Sequence, residues 1–96
     1  MDKTEALKIL HSELTKLRIK SYDEMTAVIG KTMINESIGP TGIQYQIDVQ
    51  VFWDNPRQPD GNIRVLASID DGGFISFLIP LTMDFIMSPN GDFIGE

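Results

Sequence analysis

The sequence of 96 residues contains no cysteine and a single histidine, His11. Without cysteine, disulfides, thiolate nucleophiles and cysteine-ligated zinc sites are all excluded. His11 lies among leucines in a predicted helix, and no serine stands in a nucleophile motif. General acid–base or covalent catalysis therefore has few candidate groups. We expect a protein that is not an enzyme and that carries no cofactor.

Basic residues are also scarce, with eight lysines and arginines against fourteen acidic residues and a net charge of −6. Nucleic acids and anionic membranes are bound through basic surfaces, so neither is an expected partner. The charge is uneven, because residues 1–31 carry a balance of +1 and residues 32–96 a balance of −7. This skew favours a basic protein partner. The preference of helices for lysine and of loops for aspartate is the simpler explanation of the same skew.

No apolar run approaches the roughly 18 residues that a membrane span needs, and the charged N-terminus resembles no signal peptide. With 42% apolar and 23% charged residues, the composition is that of a globular protein. We therefore expect one α+β domain over residues 1–96, with a cytoplasmic location that the missing cysteines also favour.

Helical spacing marks the first part of the chain. Leucines recur at this spacing and predict an amphipathic helix over residues 4–18: Leu7, Leu10, Leu14 and Leu17. Asp2 and Glu5 could form its capping box. A second capping box, Ser21-Tyr22-Asp23-Glu24, begins a short helix that Gly30 ends.

From Thr32 onward the apolar period changes to two, which is typical of strands with one buried face. The clearest strand runs from Ile43 to Val51, where apolar residues alternate with glutamine and aspartate. Turn residues at 39–42, 55–62 and 71–73 divide the rest. We predict a four-stranded antiparallel meander in the order 1-2-3-4, with two N-terminal helices packed on one face. Odd-numbered side chains of strands two to four face those helices.

Turn lengths then predict the strand registers. A four-residue loop over 39–42 sets Ile38 beside Ile43 and Ile34 beside Ile47. A three-residue loop over 71–73 gives apolar pairs throughout: Ile69 with Ile75, Ala67 with Phe77, Val65 with Ile79 and Ile63 with Leu81. Pro80 would make strand four an edge, and Asn90-Gly91 predicts a small terminal hairpin.

The outer face of this sheet is mostly polar, but the same register pairs Leu66 with Leu78 and places Phe52 beside Arg64. An apolar island of Phe52, Leu66 and Leu78 around Arg64 is typical of a modest protein contact. Single exposed apolar residues are nevertheless common on sheets without a partner.

At the end of the sheet lie Trp53, Asp54 and Arg57, with Asp60 and Asp84 nearby. Tryptophan and arginine often dominate binding energy at interfaces, although the odd number of Trp53 favours the core. The aspartates match no calcium loop, so we expect no metal.

Three hypotheses for function follow. The first is a small noncatalytic protein-interaction module, such as an adaptor, an inhibitor or an immunity-type partner. It would use the outer sheet face and the acidic loop end. The second is a small-ligand binder with a cup lined by Tyr45, Trp53, Phe77 and methionines, which a cavity of several hundred Å³ beneath the first helix would favour. An enzyme is the third. The apolar island also predicts a homodimer through the outer face or an edge strand.

Overall fold

The computed structural model describes residues 1–73 and 80–96, and within them two helices precede five strands. Helix α1 spans Lys3–Arg18 and helix α2 spans Tyr22–Thr26. The strands are β1 (Thr32–Ile38), β2 (Gln44–Trp53), β3 (Ile63–Asp70), β4 (Leu81–Met87) and β5 (Phe93–Ile94). They form one antiparallel sheet in the order β1-β2-β3-β4-β5. The predicted α+β class and meander order are confirmed, and the described sheet has one strand more than predicted.

The core lies between the helices and the odd-numbered face of the sheet. Along β2 and β3 the burial alternates with the sequence, as the period of two predicts. The buried sheet residues are Tyr45, Ile47, Val49, Val51, Ile63, Val65, Ala67, Ile69, Phe85 and Met87. Helix α1 packs against β3 and β4, and α2 contacts β2. The predicted inward direction of the odd-numbered side chains is therefore confirmed for the described strands.

Helix α1 is rotated slightly from the predicted orientation. Its buried apolar residues are Ala6, Leu10, Leu14 and Leu17. Leu7, which the leucine spacing placed on the apolar stripe, is 44% exposed. Residues four apart lie on one helix face, so Ala6 rather than Leu7 continues the line through Leu10 and Leu14.

The turn between β1 and β2 corrects the first predicted register. The Gly42 N–H donates to the Gly39 carbonyl at 2.9 Å, and the Gly39 N–H donates to the Ile43 carbonyl at 2.8 Å. Gly42 has a φ of +86°, so Pro40-Thr41-Gly42 is a three-residue loop that ends in a left-handed glycine. Gly39 therefore pairs with Ile43, and the predicted Ile38–Ile43 pair is wrong.

This shift by one residue changes the face of every side chain in β1. Ile34 lies opposite Asp48 and Ile38 lies opposite Gln44. The predicted pairing of Ile34 with Ile47 is therefore wrong, because Asn35 occupies the place opposite Ile47. Both isoleucines lie on the outer face of the sheet.

The register between β3 and β4 also differs from the prediction. Ile69 lies opposite Leu81, and Ile63 lies opposite Met87 rather than Leu81. In residues 81–87, as in the segment 75–81 that was predicted to pair with β3, the odd-numbered positions are apolar. The strand register can therefore shift by six residues and still keep the apolar face inward. The remaining predicted partners, Ile75, Phe77, Leu78 and Ile79, lie outside the described residues. The predicted Leu66–Leu78 pair is wrong, since Leu66 lies opposite Asp84.

The predicted terminal hairpin is confirmed, and its first strand is β4 itself. Ser88 and Gly91 repeat the turn geometry of the β1–β2 loop: the Gly91 N–H donates to the Ser88 carbonyl at 2.8 Å, and Gly91 has a φ of +86°. β5 then pairs with the last two residues of β4, Ile86 and Met87, so this end of the fourth strand is not an edge. Pro80 precedes β4, and its missing N–H therefore removes no bond from the ladder.

Arg18 at the end of α1 connects the helix to β5. Its guanidinium carbon lies 5.0 Å from the ring centre of Phe85 and 4.8 Å from that of Phe93. Its Nη1 donates to Glu96 Oε2 at 2.6 Å. Cation–π contacts and a bidentate ion pair thus hold the C-terminal end of α1 over the terminal hairpin.

The orientation of α1 can be tested with two leucine truncations. We expect Leu10→Ala to lower the free energy of unfolding by about 2–5 kcal/mol, because Leu10 is fully buried. The matched control, Leu7→Ala, should cost less than about 1 kcal/mol, because this side chain is 44% exposed. Urea unfolding of both variants measures the difference. Equal losses would contradict this packing of the helix.

Candidate functional site

Strand β1 is an open edge of the sheet. Within the described part of the chain it pairs only with β2. Because Gly39 is hydrogen-bonded to Ile43, the alternation of an antiparallel ladder makes Ser37, Asn35 and Met33 the residues bonded to β2. The N–H and C=O groups of the even-numbered residues, from Thr32 to Ile38, therefore point away from the sheet.

Two of these even-numbered residues carry apolar side chains that are exposed to solvent. Ile34 is 59% exposed and Ile38 is 72% exposed. The sequence prediction missed both, because its register turned them inward. Turn chemistry was the signal that could have found them: proline favours the second position of a type I turn, and a glycine two residues later suits the left-handed position.

A groove of about 790 Å³ runs along the other face of β1, beneath α1. The groove exists because α1 packs over β3 and β4. The helix therefore does not fill the space next to the inward face of β1. Ile9 and Ile47 contribute apolar surface, and most of the lining residues are polar: Thr4, Lys8, Ser12, Glu13 and Lys16 from α1, and Asn35, Ser37 and Thr41 from the sheet side. Asn35 Nδ2 donates to Glu13 Oε1 across the groove at 3.1 Å.

This groove is not the cup predicted from the sequence. Tyr45 is fully buried in the core, as are Met25 and Met87. Trp53 is half-buried and packs against the core, and Phe77 lies outside the described residues. The open volume is displaced toward the β1 edge, and its lining is more polar than the predicted cup.

The buried carboxylate of Glu5 closes one end of the groove. Its Oε1 accepts a hydrogen bond from the Thr41 N–H at 3.0 Å. Its Oε2 accepts from the Thr41 hydroxyl at 2.6 Å and from the Tyr45 hydroxyl at 2.9 Å. A methyl group on Gly39 would overlap this carboxylate. The network therefore fixes the N-terminal end of α1 on the β1–β2 turn.

Half of the predicted capping box at α1 is thus wrong. Asp2 does cap the helix, since its Oδ1 accepts from the Glu5 N–H at 3.1 Å. Glu5, however, directs its carboxylate to Thr41 and Tyr45 instead of back to Asp2. Three donors on the turn and the sheet satisfy the buried charge better than the single backbone N–H of a capping box.

The pKa values of the two ionisable groups in this network shift in opposite directions. The side-chain and backbone hydrogen bonds from Thr41 lower the pKa of Glu5 below its ordinary value of 4.5, because they stabilise the carboxylate. Burial, and then the hydrogen bond to Glu5, raise the pKa of Tyr45 to about 12. At neutral pH the pair is therefore a carboxylate acceptor and a neutral phenol donor.

Arg64 lies on the outer face between two of the aspartates considered at the sheet end. Its Nη2 is 3.2 Å from Asp54 Oδ1, and its Nη1 is paired with Asp84. The guanidinium thus occupies the space between these two carboxylates. Among the described residues, no three histidine or acidic side chains come together in a group that could hold a metal ion.

The apolar island forms with different members from those predicted. Phe52 lies opposite Arg64 and is 38% exposed. Leu66 is half-buried between Gln50 and Asp84. Two further residues lie in the same row as Phe52 and Arg64: Ile86 and Ile94. The place opposite Leu66, which the prediction assigned to Leu78, is occupied by Asp84, and Leu78 itself lies outside the described residues.

The other predicted contact residues lie apart from this island. Trp53 faces the core. Arg57 is exposed in the connection between β2 and β3, where its N–H donates to Asn55 Oδ1 at 3.0 Å. The Tyr22 hydroxyl donates to the Gly61 carbonyl at 2.7 Å and fixes this connection to α2.

Comparisons with protein-family models, with curated proteins and with solved structures found no match. In the described part of the chain, no helix is both long enough and apolar enough to cross a membrane. Because the comparisons identify no relative, the candidate site is defined by the geometry of the β1 edge and its groove alone.

Glu5→Gln should destabilise the protein at neutral pH, and the loss should shrink in acid. A lowered pKa in the folded state stabilises the fold above the ordinary value of 4.5, and this contribution disappears as the pH falls toward the folded value. Urea unfolding of wild type and variant between pH 3 and pH 7 measures it. Glu13→Gln on the same helix is the control, because its carboxylate accepts one hydrogen bond, from Asn35. A pH-independent difference for Glu5→Gln would contradict the network.

Gly39→Ala should also destabilise the fold, because the added methyl group displaces the Glu5 carboxylate. The loss should be at least about 1 kcal/mol, the usual cost of breaking a buried hydrogen bond. In a Glu5→Ala background the same substitution should cost much less, since no carboxylate is left to displace. A double-mutant cycle by chemical denaturation gives the coupling energy. Purely additive losses would show that Gly39 is needed for another reason.

Proposed function

We propose that this protein is a small noncatalytic protein-interaction module that binds an extended segment of a partner as an additional strand on β1. The observation that carries the proposal is the open edge of β1 with Ile34 and Ile38 exposed beside it. In such strand addition, the backbone bonds of the edge provide affinity, and pockets for alternate side chains provide specificity.

The two faces of β1 offer both kinds of contact. Side chains of the added strand that point to the outer face would pack on Ile34 and Ile38. Those that point to the helix face would enter the groove of about 790 Å³ between α1 and β1. The groove and the apolar residues thus serve one ligand, because successive side chains of a strand alternate between the two faces.

The contrast with the other edge supports this choice. Globular proteins usually protect sheet edges with short strands, proline or charge. β5 is two residues long and is held by Arg18 from α1. β1 has seven residues and no proline, and Glu36 is its only charged residue. A long edge with exposed isoleucines is a liability unless a partner uses it.

Among the residues predicted as contacts, Phe52, Arg64 and Leu66 lie on the outer face and form a second surface in this proposal, with Asp54 paired to Arg64. Trp53 packs against the core, Arg57 lies in the β2–β3 connection, and Leu78 lies outside the described residues. The surrounding acidic charge would favour a basic partner. The homodimer stays a prediction, with this outer surface as its contact.

A small ligand in the groove is the second candidate function. The groove volume of about 790 Å³ favours it, because ligand pockets fall in this size range. A small ligand would need none of the outward N–H groups of β1. A substitution that blocks only the backbone edge therefore separates the two candidates.

Ile34→Pro provides this test. The Ile34 N–H points away from β2, so proline removes an edge donor but no ladder bond, and we expect the variant to stay folded. Segments selected by wild type from a displayed random peptide library should lose at least tenfold in affinity for Ile34→Pro. They should bind the matched control Ile34→Val normally.

Hydrogen exchange on the complex tells where the segment binds. We expect the amides of Ile34, Glu36 and Ile38 to become protected, because they acquire acceptors in the added strand. Selected segments that bind Ile34→Pro as tightly as wild type would overturn the proposal. So would a library that yields no binding segment.

A further inference from the structure

We infer that the segment added to β1 is apolar, basic and apolar at three alternate positions, so that a basic residue lies opposite Glu36. The inference rests on the proposed strand addition and specifies the chemistry of its partner. The side chains that meet the segment on the outer face are Ile34, Glu36 and Ile38, in that order along β1.

Acidic charge surrounds this edge on the outer face. Glu36 is exposed, and its Oε2 accepts a hydrogen bond from Gln44 Nε2 at 3.1 Å. Asp48 lies opposite Ile34 on β2, and Asp70 lies on β3 in the same row as Glu36. Arg64 is the one basic residue on the outer face of the described strands, and it is paired with two aspartates at the far end. Among the described residues, Glu36 forms no ion pair.

A basic side chain in the added strand supplies an ion-pair partner for Glu36. Directly opposed residues of opposite charge stabilise a strand pair, whereas like charges destabilise it. The flanking positions meet Ile34 and Ile38, where apolar side chains bury surface that is now exposed. The pattern therefore follows from direct cross-strand pairing along three alternate residues.

A second copy of the chain fits the same edge poorly. In an antiparallel β1–β1 pair, a twofold axis at Glu36 opposes two glutamates, and an axis at Asn35 sets Glu36 against Ile34. An axis at Ile34 sets Ile38 opposite Gly30, which precedes the strand. Each arrangement leaves a charge or an isoleucine without a suitable partner. Each chain also carries a net charge of −6, which opposes self-association. The edge therefore favours a foreign basic segment.

Three capped heptapeptides test the inference by titration into isotopically labelled protein, followed by amide NMR shifts. All carry valine at the second and sixth positions and threonine elsewhere, with lysine, glutamine or glutamate at the centre. We expect the lysine peptide to bind about three- to tenfold more tightly than the glutamate peptide, with glutamine between them. The preference should weaken in 1 M salt, because screening reduces exposed charge interactions.

Variants at Glu36 and Ile34 separate the possible results. Glu36→Gln should abolish the preference, and Glu36→Lys should reverse it. Equal binding of the three peptides, or a preference that survives Glu36→Gln, overturns the inference and leaves strand addition intact. If no peptide shifts the β1 amides, or if all bind Ile34→Pro as well as wild type, strand addition itself fails. A dimer that Ile34→Pro dissociates would make a second copy the occupant and overturn the basic segment.

Discussion

The buried carboxylate of Glu5 is the contact on which the geometry of the candidate site depends. It joins the first turn of α1 to Thr41 in the β1–β2 turn and to Tyr45 in the core. A buried charge of this kind is tolerated only when hydrogen-bond donors satisfy it. The three donors therefore determine where the β1–β2 turn lies relative to α1. The position of this turn then determines how far β1 lies from the helix. The groove is the space that this arrangement leaves.

The two edges of the sheet differ in a way that bears on function. β5 is two residues long, and Arg18 contacts the ring of Phe93 on this strand and the ring of Phe85 on β4. β1 combines free backbone groups, exposed isoleucines and an adjacent groove. Natural sheets avoid long uncovered edges because such edges aggregate. In the described part of the chain, the long open edge of β1 and its exposed isoleucines therefore support a binding role for this strand.

The sequence predicted the features that local residue patterns determine. The alternating burial of β2 and β3 and the capping boxes depend on residues that are a few positions apart in the sequence. Both helix starts, and the inward direction of the odd-numbered strand residues, could therefore be predicted. The Ser21 box forms fully. Even here, the Asp2 box forms only on one side, because Glu5 meets donors 36 and 40 residues away. A rule based on neighbouring residues cannot predict that these distant donors compete with the capping box for the Glu5 carboxylate.

Strand registers were harder to predict, for two physical reasons. In β1, one left-handed glycine shortens the loop and turns Ile34 and Ile38 outward. In β4, two segments share the same alternation, so hydrophobic burial alone does not distinguish registers that differ by an even number of residues. The contact residues depend on register, and for this reason Asp84 lies opposite Leu66, where Leu78 was predicted, and Ile86 lies opposite Arg64.

Helix α1 reaches both ends of the strand order, through Glu5 at the β1–β2 turn and through Arg18 at β5. Because one helix contacts both ends of the strand order, local unfolding at either end strains the contacts of that helix. The described fold should therefore open as one cooperative unit instead of fraying strand by strand. A partner bound to β1 would accordingly slow amide hydrogen exchange at the distant terminal hairpin as well.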